Sequence, residues 1–282
     1  EDLELHEPKY NLGISSLSHG AMTGRMLENI EQILLDDRPD VVLVYGDTNS
    51  TLAGALAAVK LHIPVAHIEA GLRSFNRRMP EEINRIATDH VATLQFCPTA
   101  AAVQNLANEG ILDNVHNVGD VMYDATLFAI EKSQNRRSLR DQLGLHRGPM
   151  AVCTIHRAEN TGDVRQLGRV CDYLQVVAAE MNLVLPLHPR TRQALERLNL
   201  SIPGAHIVEP LGYLDLQALL SEADLVLTDS GGLQKEAYFH GKPCITLRDE
   251  TEWVETITHG WNRLWSEPDY AGPRTVIDDY GD

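Results

Sequence analysis

No run of about 18 apolar residues occurs in this chain of 282 residues, so no segment reads as a membrane-spanning helix. Positive charge is scarce: 24 Lys and Arg stand against 40 Asp and Glu, a formal net charge of −16. That balance argues against a nucleic-acid binder, which needs a basic surface to displace counterions. It leaves room for a small anionic ligand, because a helix N-terminus or a few arginines can hold one inside an acidic protein. Cysteine is sparse. Cys97, Cys153, Cys171 and Cys244 contain no C-x-x-C pair, and each lies in or beside an apolar run. They read as reduced core thiols of a cytosolic protein, and their spacing does not fit zinc. The opening residues EDLELHEPKY lack the apolar stretch of a secretory signal. Missing too are a G-x-x-x-x-G-K loop, a G-x-G-x-x-G turn after a strand and an H-E-x-x-H helix, which removes kinase, dehydrogenase and zinc-protease readings. There is no repeat and no low-complexity tract.

What is present is ordinary globular composition, 43% hydrophobic and 23% charged. At about 150 residues per domain the length predicts two domains. Short apolar runs lie at 41–45, 63–68, 93–97, 115–118, 150–155, 182–187, 206–208, 224–228, 244–247 and 263–265. Amphipathic helical segments such as 50–61 and 164–180 separate them. Near-continuous apolar strands alternating with helices predict an α/β fold with parallel sheets buried on both faces. The polar segment 132–148 follows a helical stretch, and the expected domains are 1–135 and 136–282. Two Rossmann-like, doubly wound halves facing a cleft would present a ligand to the carboxyl ends of both sets of strands.

Those strand ends are unusually rich in chemistry. They read Gly46-Asp47-Thr48, Glu69-Ala70-Gly71, His156-Arg157, His188-Pro189-Arg190, Asp229-Ser230-Gly231-Gly232 and Arg248-Asp249-Glu250. The paired glycines at 231 and 232 let backbone approach a ligand, and a helix starting there offers free amides to phosphate. Glu236, one helical turn on, suits a ribose diol and so points to a nucleotide. Asp47, Glu69 and Glu81 are converging carboxylates whose pKa values can be pushed apart for acid and base roles. Simpler explanations exist for two of them. Asp47 fits an N-cap, and Glu81 and Glu82 fit the positive end of a helix begun by Pro80. Glu69 has no such explanation. His156 suits proton transfer or phosphate neutralisation, and Arg157 a bidentate phosphate contact. His188 and Arg248 join the expected substrate-binding set, while His6, His62 and His146 read as surface or packing residues.

At these residues the chain resembles the non-hydrolysing UDP-N-acetylglucosamine 2-epimerases. The resemblance is carried by SHGAMTGRML (18–27), PDVVLVYGDTNSTLAGALAA (39–58), IPVAHIEAGLRSFNRRMPEEINR (63–85), TDSGGLQKEA (228–237), GKPCITLRDETEW (241–253) and HGWNRL (259–264). It implies a GT-B-like fold, a UDP-sugar substrate, a homodimer, and no metal or nicotinamide. It implies anti elimination of UDP to a 2-acetamidoglucal and re-addition to the other face of C2, supplying precursors for cell-surface polysaccharide. By position, the family's acid/base carboxylates fall on Asp47, Glu69 and Glu81, and its active-site histidine on His156. Its uridine-diphosphate contacts fall on Ser230, Gly231 and Gly232, with Glu236 at the ribose.

Three departures stand out. Where the commonest family form has T-E-R-P-E, this chain has Thr251-Glu252-Trp253-Val254-Glu255, so a basic residue gives way to Trp253. The loop SFNRRMPEE is short and carries Arg77 and Arg78, which resembles the branch acting on UDP-2,3-diacetamido-2,3-dideoxyglucuronate. The family's opening G-T-R-P-E with its lysine is not found, nor a closing helix after residues 280–282. Without a first segment of about fifty residues, strand 41–45 is expected to show an open edge. A hydrolysing 2-epimerase, a retaining glycosyltransferase and an inert UDP-sugar-binding module are the alternative readings.

Overall fold

A computed structural model describes residues 6–134, 136–145, 147–266 and 274–277. His146 and the chain end at 280–282, on which expectations were placed, lie outside the described residues. Contacts divide the chain into two compact units, one ending at Val121 and the other running from Met122 to Ile277.

The first unit runs α1 (His19–Asp37), β1 (Val42–Tyr45), α2 (Asn49–Lys60), β2 (Val65–Ile68), α3 (Pro80–Val91), β3 (Leu94–Cys97), α4 (Ala100–Asn108) and β4 (Val115–Asn117). All pairings are parallel, in the order β1-β2-β3-β4, with Val44 opposite His67 and Ile68 opposite Phe96. Helix α2 presents Ala53, Ala55, Ala57 and Ala58 as buried residues. Such small side chains let it approach the sheet, where a Cβ on Gly54 would stand 3.3 Å from Val44 Cγ1. β1 lies at the edge of the described sheet, with Leu43 46% and Tyr45 58% exposed. Helix α3 begins with Pro at its first position and acidic residues in its first turn, where the fixed φ and the helix dipole favour them.

The second unit holds α5 (Val121–Ser133), α6 (Leu139–Gln142), β5 (Met150–Thr154), α7 (Ala158–Thr161), α8 (Val164–Glu180), β6 (Asn182–Pro186), α9 (Pro189–Leu198), β7 (His206–Val208), α10 (Tyr213–Glu222), β8 (Leu225–Thr228), α11 (Gly231–Phe239), β9 (Cys244–Thr246), α12 (Val254–Thr258) and β10 (Asn262–Leu264). Helix α5 belongs here because Tyr123 packs on Phe239, their rings 4.9 Å apart. This sheet is also parallel, in the order β10-β9-β8-β5-β6-β7. Strand β5 is buried on both faces. Ala151 and Cys153 meet Leu167, Cys171 and Leu174 of α8, while Met150 and Val152 meet Leu219, Leu220 and Ala237 of α10 and α11. Burying a side chain such as Leu174 is worth about 1.5–3 kcal/mol.

From β5 the chain winds outward through β6 and β7, then returns to lay β8 on the other side of β5. The crevice beyond the carboxyl ends of β5 and β8 is therefore the topological switch point, where open α/β sheets bind ligands.

Candidate active site

In the first unit the end of β1 is held from several sides. The Gly46 amide donates to Ile68 O at 3.0 Å, and the Gly46 carbonyl accepts from His67 Nε2 at 2.8 Å. Asp47 follows. The capping explanation for it fails, because Thr48 caps α2 and Thr51 returns the bond to the Thr48 amide. Asp47 Oδ2 instead accepts from Arg85 Nε at 3.0 Å and Nη2 at 2.7 Å, with its own side chain 30% exposed. Glu69, at the end of β2, has φ +69, a left-handed backbone that costs a non-glycine residue about 1 kcal/mol or more. Its carboxylate reaches back to β1: a Cβ on Gly46 would stand 3.3 Å from Glu69 Oε2. Glycine at 46 thus makes room for that carboxylate at the end of β1.

The two acidic residues at the start of α3 differ sharply. Glu82 is buried, and accepts from the Ser74 and Phe75 amides and from Arg85 Nη1 at 2.9 Å each. Burial raises its pKa, but these donors outweigh it and hold the carboxyl below its usual range. Glu81 is half-buried, and its side chain has no hydrogen-bond or ion-pair partner among the described residues. Arg85, which bridges Glu82 and Asp47, is a site residue that sequence reasoning missed. Its signal was faint, an arginine one turn inside a helix that begins Pro-Glu-Glu.

In the second unit Asp229, fully buried at the end of β8, organises the switch point. It accepts from the His156 amide at 3.1 Å, the Arg157 amide at 3.0 Å and Asn160 Nδ2 at 3.0 Å. His156 Nδ1 stands 3.2 Å from its Oδ1. Burial pushes Asp229 up, yet the bonds from His156, Arg157 and Asn160 prevail and keep the carboxyl below its usual range. The His156 side chain, 44% exposed, is thereby oriented at the mouth of a cavity of about 290 Å³. His188, Ser230, Gly232, Leu233 and Glu236 also line it. His188 caps α9 through Nδ1, and its ring lies 6.3 Å from that of His156.

The N-terminus of α11 opens at this cavity. Ser230 Oγ accepts from the Leu233 amide, and the first-turn amides of Gly231 and Gly232 have no helical partner, as at any helix start. Glu236 is 7% exposed and faces Tyr213 and Gln217. Burial lifts its pKa above the usual carboxylate value, and burial with the Glu236 charge pushes Tyr213 up to about 12.

Not every expected residue lines this cavity. Gly231 faces the other way: a Cβ there would run into Glu252 Oε1 and force that carboxylate to shift. Arg248 is buried, donating from Nη1 to Glu252 at 3.0 Å. Arg157 contributes its amide, while Arg77 and Arg78 lie exposed on the turn before α3. Larger hollows, such as one of about 380 Å³ between α8 and the amino ends of β9 and β10, gather none of these residues. No cluster of acidic, histidine or cysteine side chains among the described residues is arranged to hold a metal. None of the described helices is long and apolar enough to cross a membrane.

A family model described as UDP-N-acetylglucosamine 2-epimerase matches residues 1–273. Over 268 residues the chain is 53% identical to UDP-2,3-diacetamido-2,3-dideoxy-D-glucuronate 2-epimerase of Pseudomonas aeruginosa, covering 94% of this chain and 74% of that one. To UDP-N-acetylglucosamine 2-epimerase of Methanocaldococcus jannaschii it is 46% identical over 275 residues, covering 94% and 75%. The crystal structure of Methanocaldococcus jannaschii UDP-GlcNAc 2-epimerase in complex with UDP-GlcNAc and UDP aligns with a TM-score of 0.88 at 41% identity, over 100% of this chain and 83% of that one. The fold class, α/β with two Rossmann-like units of GT-B-like kind, is shared with such structures. Matches of this length, running through the strand ends that carry Asp47, Glu69, His156 and the 230–232 turn, make the chain a member of the UDP-N-acetylglucosamine 2-epimerase family, whose members are isomerases.

Proposed function

We propose that this chain inverts C2 of a UDP-2-acetamido sugar, with the second unit binding the nucleotide and the first moving protons. The observation that carries the reading is the switch-point cavity, where His156 and Glu236 stand with the start of α11. In this reading Ser230 and the amides of Gly231 and Gly232 hold the diphosphate, and Glu236 takes the ribose hydroxyls. Arg157, His188 and Arg248 lend further contacts or charge to the same substrate.

A carboxylate of the first unit, Glu69 in this assignment, removes the proton from C2. The C–H electron pair becomes the C1–C2 double bond, and the C1–oxygen bond to UDP breaks. Negative charge grows on the departing phosphate, where His156 and the dipole of α11 stabilise it. Asp47 and Glu81 serve the return: a proton is delivered to the opposite face of C2, and the UDP oxygen rebonds to C1. Hydrogen leaves and returns as a proton, so no hydride carrier is required.

The parent reaction is tested by incubation with UDP-N-acetylglucosamine in heavy water. Deuterium at C2 is the expected result. Accumulation of free UDP and sugar would assign a hydrolysing enzyme, and binding without exchange an inert module. The reading includes a cytosolic homodimer. The four thiols, all buried and unpaired, suit a reducing compartment, and light scattering at twice the chain mass would establish the dimer.

A further inference from the structure

Asp89, near the end of α3, is fully buried and grips a single turn at three points. Its Oδ1 lies 2.6 Å from His67 Nδ1, and its Oδ2 accepts from the Gly71 amide at 3.1 Å and from Arg73 Nη1 at 2.7 Å. Glu69 sits between these grips. Other bonds complete the enclosure: the Ala70 amide donates to Phe96 O, and Asn105 Nδ2 donates to Gly71 O. Only glycine fits at 71, where φ is +81 and a Cβ would run into the Ala102 carbonyl. Behind it, Arg73 is locked by Glu109, Nε to Oε1 at 2.6 Å and Nη2 to Oε2 at 2.9 Å. Burial opposes the Arg73 charge, but Glu109 and Asp89 outweigh it and raise the pKa of the guanidinium.

Stability alone gives little reason for this arrangement. Buried ion clusters are commonly matched or bettered by apolar residues of the same volume. The bonds of Asp89 instead converge on the turn whose middle residue has φ +69, and a strained residue persists only where its surroundings over-determine it. His67 extends the hold to the neighbouring strand. The Gly46 carbonyl can only accept, so Nε2 donates to it and ties the end of β1 to the same cluster. One buried carboxylate thus fixes both the backbone beneath Glu69 and, through His67, the glycine against which the Glu69 carboxylate rests.

We propose that Asp89, with His67 and Arg73, is the positioning device of the C2 proton transfer, clamping segment 67–73 so that Glu69 presents its carboxylate at Gly46, at the end of β1. This rests on the reading that Glu69 moves the C2 proton. The test compares Asp89→Asn, His67→Gln, His67→Ala and Glu69→Gln in the whole chain. C2 exchange in heavy water is divided by the number of UDP-binding sites titrated calorimetrically, so that loss of folded protein cancels.

Asp89→Asn keeps size but turns one acceptor into a donor. It should bind UDP within about twofold of the parent while exchange per site falls by about 10²-fold, the usual penalty for a misplaced group. His67→Gln retains an N–H donor near Nε2 and should keep more exchange per site than His67→Ala. Parental exchange per site in Asp89→Asn and His67→Ala, beside a loss in Glu69→Gln, overturns the clamp and leaves Glu69 in its role. Parental exchange in Glu69→Gln removes that role and the clamp with it. If Asp89→Asn does not fold, the two His67 variants decide: equal losses in both overturn the proposal.

Discussion

In the proposed reading Glu236 meets the ribose hydroxyls as a carboxylate, a stronger acceptor than the neutral acid, and its burial opposes that charge. Burial raises its pKa, more than the neighbouring Gln217 and Tyr213 side chains lower it, so ionising it costs folding free energy. The stability contributed by its protonated form is present below the unfolded value and is lost as pH rises through the raised folded value. Glu236→Gln removes that loss. At neutral pH the variant should therefore melt higher than the parent, while UDP affinity drops by about 1–3 kcal/mol with the lost charged hydrogen bond. Paired calorimetric melting and titration check this, and unchanged UDP affinity would end the ribose assignment. Trp253 shows a second residue-scale compromise. The position that carries a basic residue in the common family form here holds an indole, and Lys235, fully buried, places its Nζ 3.8 Å from the centre of that ring. The lysine is brought there by α11 and stands over the aromatic face.

At the scale of elements, helix α11 shows how a turn and a partner loop are matched. Gly231 leaves the space that Glu252 occupies, and Glu252 in turn holds Arg248. Gly231→Ala should push the carboxylate aside, leave Arg248 unpaired in a buried site and weaken UDP binding by about 1–3 kcal/mol. An unaltered binding constant would show that the loop yields. The turn before α3 allows a different test. Glu82 anchors its backbone at Ser74 and Phe75, so Arg77 and Arg78 are displayed from a fixed base. If they read a carboxylate at C6, a UDP-uronate should turn over faster than UDP-N-acetylglucosamine, and Arg77→Ala with Arg78→Ala should erase the difference. Equal rates in the parent would return both to the solvated loop. Most of the ten described strands were legible because they are short apolar runs, β4 and β10 being the polar exceptions, and the strand ends because polar residues follow those runs abruptly. Asp229 lay in plain view after 224–228, but its hold on His156 depends on β5 and β8 being neighbours, which sequence order does not reveal. The Asp89 cluster was invisible for a related reason. Its members, His67, Arg73 and Glu109, come from separate places in the chain and look singly like ordinary strand, loop or helix-end polar residues.

Across the whole chain the two units divide the labour that the reading assigns, and their stabilities should respond differently to solution conditions. Acid acts on both. Glu82 in the first unit and Asp229 in the second have folded pKa values below their ordinary ones. Their stabilising contribution is present above the unfolded values of about 4.3 and 3.9 and is lost as pH falls through the lower folded values. Nucleotide should act on one. Every residue assigned to UDP, from His156 to Arg248, lies in the unit from Met122 to Ile277, and a ligand stabilises what it binds by mass action. At a hundred times its dissociation constant, UDP should add about 2.7 kcal/mol to the opening free energy of that unit. Hydrogen exchange reads this directly. Amides of β5, β6 and β8 should slow by about a hundredfold with UDP, while those of β2 and β3, which carry no nucleotide contact in this assignment, should keep their rates. Equal slowing in both sheets would show that the units open together and that the boundary at Val121 is not an energetic one. No slowing in either would remove UDP from the switch-point cavity, and with it the assignment of Ser230, Gly231, Gly232 and Glu236.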